Sequence, residues 1–180
     1  MKYIALLRGI NVGGNNKVPM KDLKACFEQM GFCDVITYIN SGNVVFSGLD
    51  QEITELISLC EKSLMETFGF PIRTAVISSE AYKRAMAHAP QWWGNEPDVK
   101  HNVLVVIPPA TGKMIVEEVG AIKPEYENVA FYENLIFWSA PVKTFSRTRW
   151  SKIVGTRAYQ DVTIRNSNTA RKLLEMIKEA

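Results

Sequence analysis

The amino-acid sequence predicts an α+β protein made of two ferredoxin-like βαββαβ repeats with antiparallel sheets, plus a connecting helix and a C-terminal helix. Two observations carry this. Tyr3-Ile4-Ala5-Leu6-Leu7 and, about 100 residues later, Val103-Leu104-Val105-Val106-Ile107 are continuous apolar runs, the pattern of central strands buried on both faces. Each run is followed in the same order by a turn-rich stretch, a helical stripe, two β-rich segments around a tight turn, a second helical stretch and a strand. Right-handed crossovers place that order in one antiparallel sheet under two helices. The expected division is 1–78 for the first repeat, 79–100 for the connecting helix and loop, and 101–180 for the second repeat with the C-terminal helix.

In the first repeat, Pro19 suits a first helical position, and Met20, Leu23, Phe27 and Met30 recur at helical spacing until Gly31. Val35 to Ile39 and Val44 to Phe46 flank Asn40-Ser41-Gly42-Asn43, whose Ser-Gly centre is turn chemistry, so they form a hairpin. Ile53, Leu56, Ile57, Cys60, Leu64 and Phe68 make an amphipathic helix, closed by Gly69 and Pro71 before a strand at Ile72 to Ile77. A helix capped by Ser79 and ended at Pro90, then the loop Gln91 to Lys100 with Trp92 and Trp93, joins the halves.

In the second repeat, Pro108 to Lys113 is turn-rich and a short helix ends at Gly120. Val129 to Tyr132 and Leu135 to Trp138 flank Glu133-Asn134 as a hairpin; Arg147 to Val154 is expected to be helical, and Asp161 to Ile164 a strand. The last helix carries Ala170, Leu173, Leu174 and Ile177 on one face, with Asn166, Ser167 or Asn168 as its cap.

This topology bears on function. The first and second strands run the same way, so the loop after the first and the turn after the second emerge at one sheet edge. Arg8, Asn11, Gly13, Gly14 and Lys17 are then neighbours of Asn40, Ser41, Gly42 and Asn43, forming one ligand-binding rim. Glycine and asparagine favour positive φ and close backbone approach, and Arg8 and Lys17 add positive charge. Arg165, Asn166, Asn168 and Thr169 form a second polar site at the start of the last helix, where unpaired N–H groups accept anions. The spacing matches neither the P-loop nor the dinucleotide fingerprint. The alternative is that the first loop is a long polar connection and that Asn40 and Asn43 only form a turn.

Composition narrows the function classes. In 180 residues, 47% are hydrophobic, enough for a core. No apolar run approaches the roughly 20 residues of a membrane span, and Met1 to Arg8 is too short for a signal peptide, so a cytoplasmic location and no membrane partner are expected. Cys26, Cys33 and Cys60 have no C-x-x-C spacing and are read as buried, inert thiols; His88 and His101 have no ligand at metal spacing. Neither metal nor cofactor is expected. Charge is segregated: Lys143 to Lys172 holds eight basic residues against Asp161, a balance of +7, leaving 13 basic and 18 acidic residues elsewhere, a balance of −5.

Leu7-Arg8-Gly9-Ile10-Asn11-Val12-Gly13-Gly14, Val18-Pro19-Met20 with Leu23, Gly31-Phe32 with Asp34-Val35, and Tyr38-Ile39-Asn40-Ser41-Gly42-Asn43-Val44-Val45-Phe46 together resemble the bacterial domain-of-unknown-function 1697 family. Thr163-Ile164-Arg165-Asn166-Ser167-Asn168-Thr169 followed by Lys172-Leu173 is similar to that family's carboxy-terminal signature. Ser167 departs from it, standing where an aromatic residue, usually Trp, is expected. The resemblance implies a cytoplasmic α+β protein and hands over no catalytic residue.

Three function classes stay open. The first is a binding module for an anionic ligand, a nucleic acid or a phosphorylated small molecule, with Phe145, Trp150 and Tyr159 interleaved among the arginines for stacking. The second is an enzyme acting on a phosphorylated or carboxylated metabolite with Arg8, Lys17 and Arg165 as anion clamps, although no base or nucleophile is identifiable. The third is a protein-interaction or homo-oligomeric module using a sheet face or the Trp92-Trp93 loop.

Overall fold

The computed structural model describes residues 1–94 and 96–179. Asn95, in the expected connecting loop, and Ala180, in the expected last helix, lie outside them. Met1–Tyr82 forms the body of one compact unit and Lys83–Leu174 that of another.

The first unit runs β1 (Lys2–Leu7), α1 (Met20–Gln29), β2 (Cys33–Tyr38), β3 (Asn43–Ser47), α2 (Ile53–Phe68) and β4 (Thr74–Ser78). Its sheet has the order β2-β3-β1-β4, antiparallel throughout. Tyr3, Ala5 and Leu7 face a core with Leu23 and Phe27 of α1, Phe46 of β3, and Leu56 and Leu64 of α2. Phe46 anchors that core, with the ring centroids of Phe32 and Phe27 at 4.4 and 5.2 Å, close enough for direct ring-to-ring packing. Ile4 and Leu6, on the opposite face of β1, are buried too, which is why β1 is apolar without alternation.

α3 (Ser79–Ala87) connects the repeats. The Ser78 hydroxyl, 3.2 Å from the Ala81 N–H, is its cap; Ser79, expected in that role, is already helical. Trp93 also departs from expectation. It is buried, donates its indole N–H to the Asn102 carbonyl at 2.7 Å and meets Phe137 edge to face, so it is core and not an exposed contact.

The second unit repeats the sheet order: β5 (Val99–Val106), α4 (Gly112–Val119), β6 (Asn128–Tyr132), β7 (Leu135–Pro141) and β8 (Val162–Asn166), arranged β6-β7-β5-β8; α5 (Ser167–Glu179) follows, and the unit ends within it at Leu174. The helix expected over Arg147 to Val154 is instead part of three successive 3-10 turns, Val142–Arg147, Trp150–Gly155 and Arg157–Asp161. Trp150 and Ile153 are the two buried residues of the middle turn. Their separation of three matches 3-10 periodicity, in which side chains at i and i+3 eclipse.

Cys26 and Cys60 are buried, but Cys33 lies exposed on the edge strand β2, correcting the expectation of three buried thiols. Burial, reinforced by the neighbouring Cys26 and Glu61, pushes the Cys60 thiol up to about 12. Because the thiolate is the reactive form, Ellman's reagent at mildly alkaline pH is expected to modify one thiol, Cys33, in the native chain and all three in denaturant. Rapid native modification of a second thiol would contradict this packing.

Candidate functional site

The β1–α1 loop and the β2–β3 turn meet as the topology requires, and Asn11 joins them. Held at φ +54°, Asn11 accepts the Val18 N–H on Oδ1 at 2.8 Å and donates from Nδ2 to the Val18 carbonyl at 2.9 Å and the Asn40 carbonyl at 2.8 Å. The tip is a miniature hairpin, with Val12 bridged to Asn15. Gly13 and Gly14 both have positive φ (+58° and +80°), as a type I′ turn demands. Asn16 ties the base through its amide to the Gly9 carbonyl at 3.1 Å. The result is an open depression of about 330 Å³ lined by Asn11, Gly14, Lys17, Val18, Pro19 and Asn40.

No carboxylate occurs from Arg8 to Lys21, and Lys17 is exposed. Val18 and Pro19, on the wall, lead directly into α1, whose N-terminus has no side-chain cap. Its first N–H groups therefore lack the acceptor that Ser, Thr, Asp or Asn supplies elsewhere.

The other expected rim residues have different places. Arg8, Gly13 and Ser41 border the loop and turn without lining the depression; the Arg8 N–H donates to the Arg73 carbonyl at 2.9 Å. Gly42 faces inward beneath Leu7 and Ile10. Asn43 is fully buried, donating to the Tyr38 carbonyl at 2.9 Å and the Ser41 hydroxyl at 3.0 Å. It is a turn former, the alternative reading of the sequence.

The second polar site is only partly assembled. Arg165 is buried in β8, donating from Nη1 to the Thr163 hydroxyl at 2.8 Å and the Ile164 carbonyl at 2.9 Å, so it braces the strand and offers no surface clamp. Asn166 caps α5 by accepting the Thr169 N–H at 2.8 Å, and Thr169 is buried. Asn166, Ser167 and Asn168 line a depression of about 340 Å³ together with Glu96, Lys100, His101 and neighbouring residues.

Beside it lies a grouping that the sequence does not reveal. His101 Nδ1 accepts the Gly94 N–H at 3.1 Å and lies 2.6 Å from the Ser139 hydroxyl, while Nε2 faces the Glu96 carboxylate at 2.5 Å. Ser139 is buried and does not line the depression. These contacts hold residues 94 and 96 against β5 and β7 and present no nucleophile. Only the antiparallel register, which pairs His101 with Ser139, brings these residues together.

The aromatic residues of the basic stretch also face inward. Trp150 is fully buried in the second core, with Phe145 and Tyr159 packed against it. They are not the exposed stacking surface their spacing among arginines implied. Among the described residues, no group of three or more His, Cys, Asp or Glu is placed to hold a metal, and no helix is long and apolar enough to cross a membrane.

Comparison with known proteins agrees with the fold. A solved structure, that of the conserved bacterial protein SP0830 from Streptococcus pneumoniae, is 28% identical, with a TM-score of 0.87 over 98% of each chain. No curated protein matches. Residues 1–137 match the model of the family described as Protein of unknown function (DUF1697), and the chain belongs to that family.

Proposed function

We propose that this is a cytoplasmic binding module for a phosphate-bearing small molecule, held in the depression between the β1–α1 loop and the β2–β3 turn. The observation that carries the reading is the uncapped start of α1 beside a cavity with a lysine and no carboxylate on its wall. Helix N-termini and left-handed glycine nests direct backbone N–H groups at anions, and the Lys17 ammonium adds a charge-assisted bond. At about 330 Å³ the depression is at the small end of ligand sites. Asn11, whose amide is fully engaged within the chain, holds its two walls in place.

A charged hydrogen bond contributes about 1.5–3 kcal/mol, so Lys17→Ala is expected to weaken binding roughly ten- to a hundred-fold, and Lys17→Arg to retain most of it. Calorimetric titration of inorganic phosphate, sugar phosphates and nucleotides at low salt tests this. If no member of the panel binds the wild type, or if Lys17→Ala binds as well as wild type, the loop is scaffolding.

A further inference from the structure

The basic stretch separates in the structure into committed and uncommitted cations. Arg165 is buried, and Arg149 donates from Nε to the Val119 carbonyl at the end of α4, 2.7 Å away. Lys143, Arg147, Lys152 and Arg157 instead stand exposed on the three successive 3-10 turns, Arg147 with its guanidinium 5.8 Å from the centre of the Tyr126 ring. None of the four forms an ion pair with a carboxylate among the described residues.

Two carboxylates from earlier in the chain bond to the connector's backbone. Glu127 accepts the Arg149 and Trp150 N–H groups, and Glu118 accepts that of Ala158 at 2.8 Å. Two more cations join it from elsewhere in the chain: Lys123 donates from Nζ to the Arg147 carbonyl at 3.1 Å, and Lys100 lies 4.1 Å above the Phe145 ring. Lys100 and Lys123 thus add two cations from outside the basic stretch to the connector.

We propose that this connector face docks the sugar-phosphate backbone of a nucleic-acid duplex. Cations on one connector without carboxylate partners repel one another, and a polyanion relieves that repulsion while releasing its condensed counterions. The duplex is favoured over a single strand because single-strand binding relies on exposed aromatic rings, and here Trp150 is buried while Phe145 lies beneath Lys100. It is favoured over a membrane surface because three short 3-10 turns offer no amphipathic helix, only the isolated exposed side chains of Val142 and Val154. The contacts are to phosphates, so affinity is independent of sequence. This surface shares no residue with the small-anion depression.

The test is fluorescence anisotropy of a labelled DNA duplex of about 20 base pairs, titrated with the full chain across a range of sodium chloride, since log affinity falls by about 0.9 per neutralised phosphate for each decade of salt. The wild type is expected to bind with a steep slope. The triple variant Arg147→Ala, Lys152→Ala, Arg157→Ala is expected to bind more than ten-fold more weakly at low salt, with a slope shallower by about three. The charge-preserving triple Arg147→Lys, Lys152→Arg, Arg157→Lys is expected to keep the wild-type slope. Should the triple alanine variant not fold, the three single variants carry the same reading, each shallower by about one. The proposal is overturned if the wild type does not bind at the lowest salt, if the alanine variants keep the wild-type slope, or if the charge-preserving variant loses it. It is equally overturned if anionic phosphatidylserine vesicles bind and the duplex does not.

Discussion

Gly42→Ala is expected to destabilise the protein by about 2–5 kcal/mol, from left-handed backbone strain of roughly 1–2 kcal/mol together with overpacking of roughly 1–3 kcal/mol. Gly42 has a φ of +79°, and a Cβ built on it would stand 2.7 Å from Ile10 Cδ1 and 2.9 Å from Leu7 Cβ. Both neighbours are buried, and the Leu7 N–H donates to the Gly42 carbonyl at 2.8 Å. The turn therefore cannot rise away from the loop without breaking the contact that brings Asn40 to Asn11. Gly13 supplies the control. Its φ is +58°, but a Cβ there meets nothing within 4 Å, so Gly13→Ala is expected to incur only the backbone strain, about 1–2 kcal/mol. Urea denaturation of the two variants separates strain from packing. Equal losses would mean that the close approach of Gly42 to Leu7 and Ile10 contributes nothing.

Glu127→Ala is expected to cost about 3–5 kcal/mol, because each buried donor left without an acceptor costs roughly 1–3 kcal/mol and water entering the vacated volume recovers part of it. Glu127 is 2% exposed. Its Oε1 accepts the Lys123 N–H at 3.0 Å and the Arg149 N–H at 2.7 Å, and its Oε2 accepts the Trp150 N–H at 3.1 Å. One side chain thus serves the N-terminal end of a 3-10 turn from the segment before β6. Glu127→Gln keeps an acceptor oxygen but turns an NH₂ group toward one of the donors, so an intermediate loss is expected. Unfolding followed by tryptophan fluorescence measures this where Trp150 sits, at the capped turn. An alanine variant within 1 kcal/mol of wild type would show that the turn holds together without the carboxylate.

The legibility of this protein in its sequence follows a physical division. β1 and the second half of β5 were legible because strand positions buried on both faces must all be apolar, which Tyr3 to Leu7 and Val103 to Val106 satisfy. With the strands placed, the handedness of crossovers dictated the antiparallel order, and that order brought the Arg8 to Lys17 loop beside the Asn40 to Asn43 turn. Asn and Gly marked the turns because few other residues tolerate positive φ. Local chemistry, repeated at a fixed period, decided those features.

Burial and partnership were decided elsewhere. Asn40 and Asn43 are alike in the sequence, yet one is exposed with its carbonyl bonded to Asn11 and the other is sealed beneath the turn. Trp150 among arginines reads as a stacking ring until the second core encloses it. Ser139 meets His101 only through sheet register, and Arg149 and Glu127 find their roles only against α4 and the 3-10 turns. The sequence by itself determined where the backbone turns and which strands are central, since φ preference and two-faced burial are properties of a residue and its near neighbours. Which polar groups remain available to a ligand was left to tertiary structure, because availability depends on acceptors and donors supplied by residues distant in the chain.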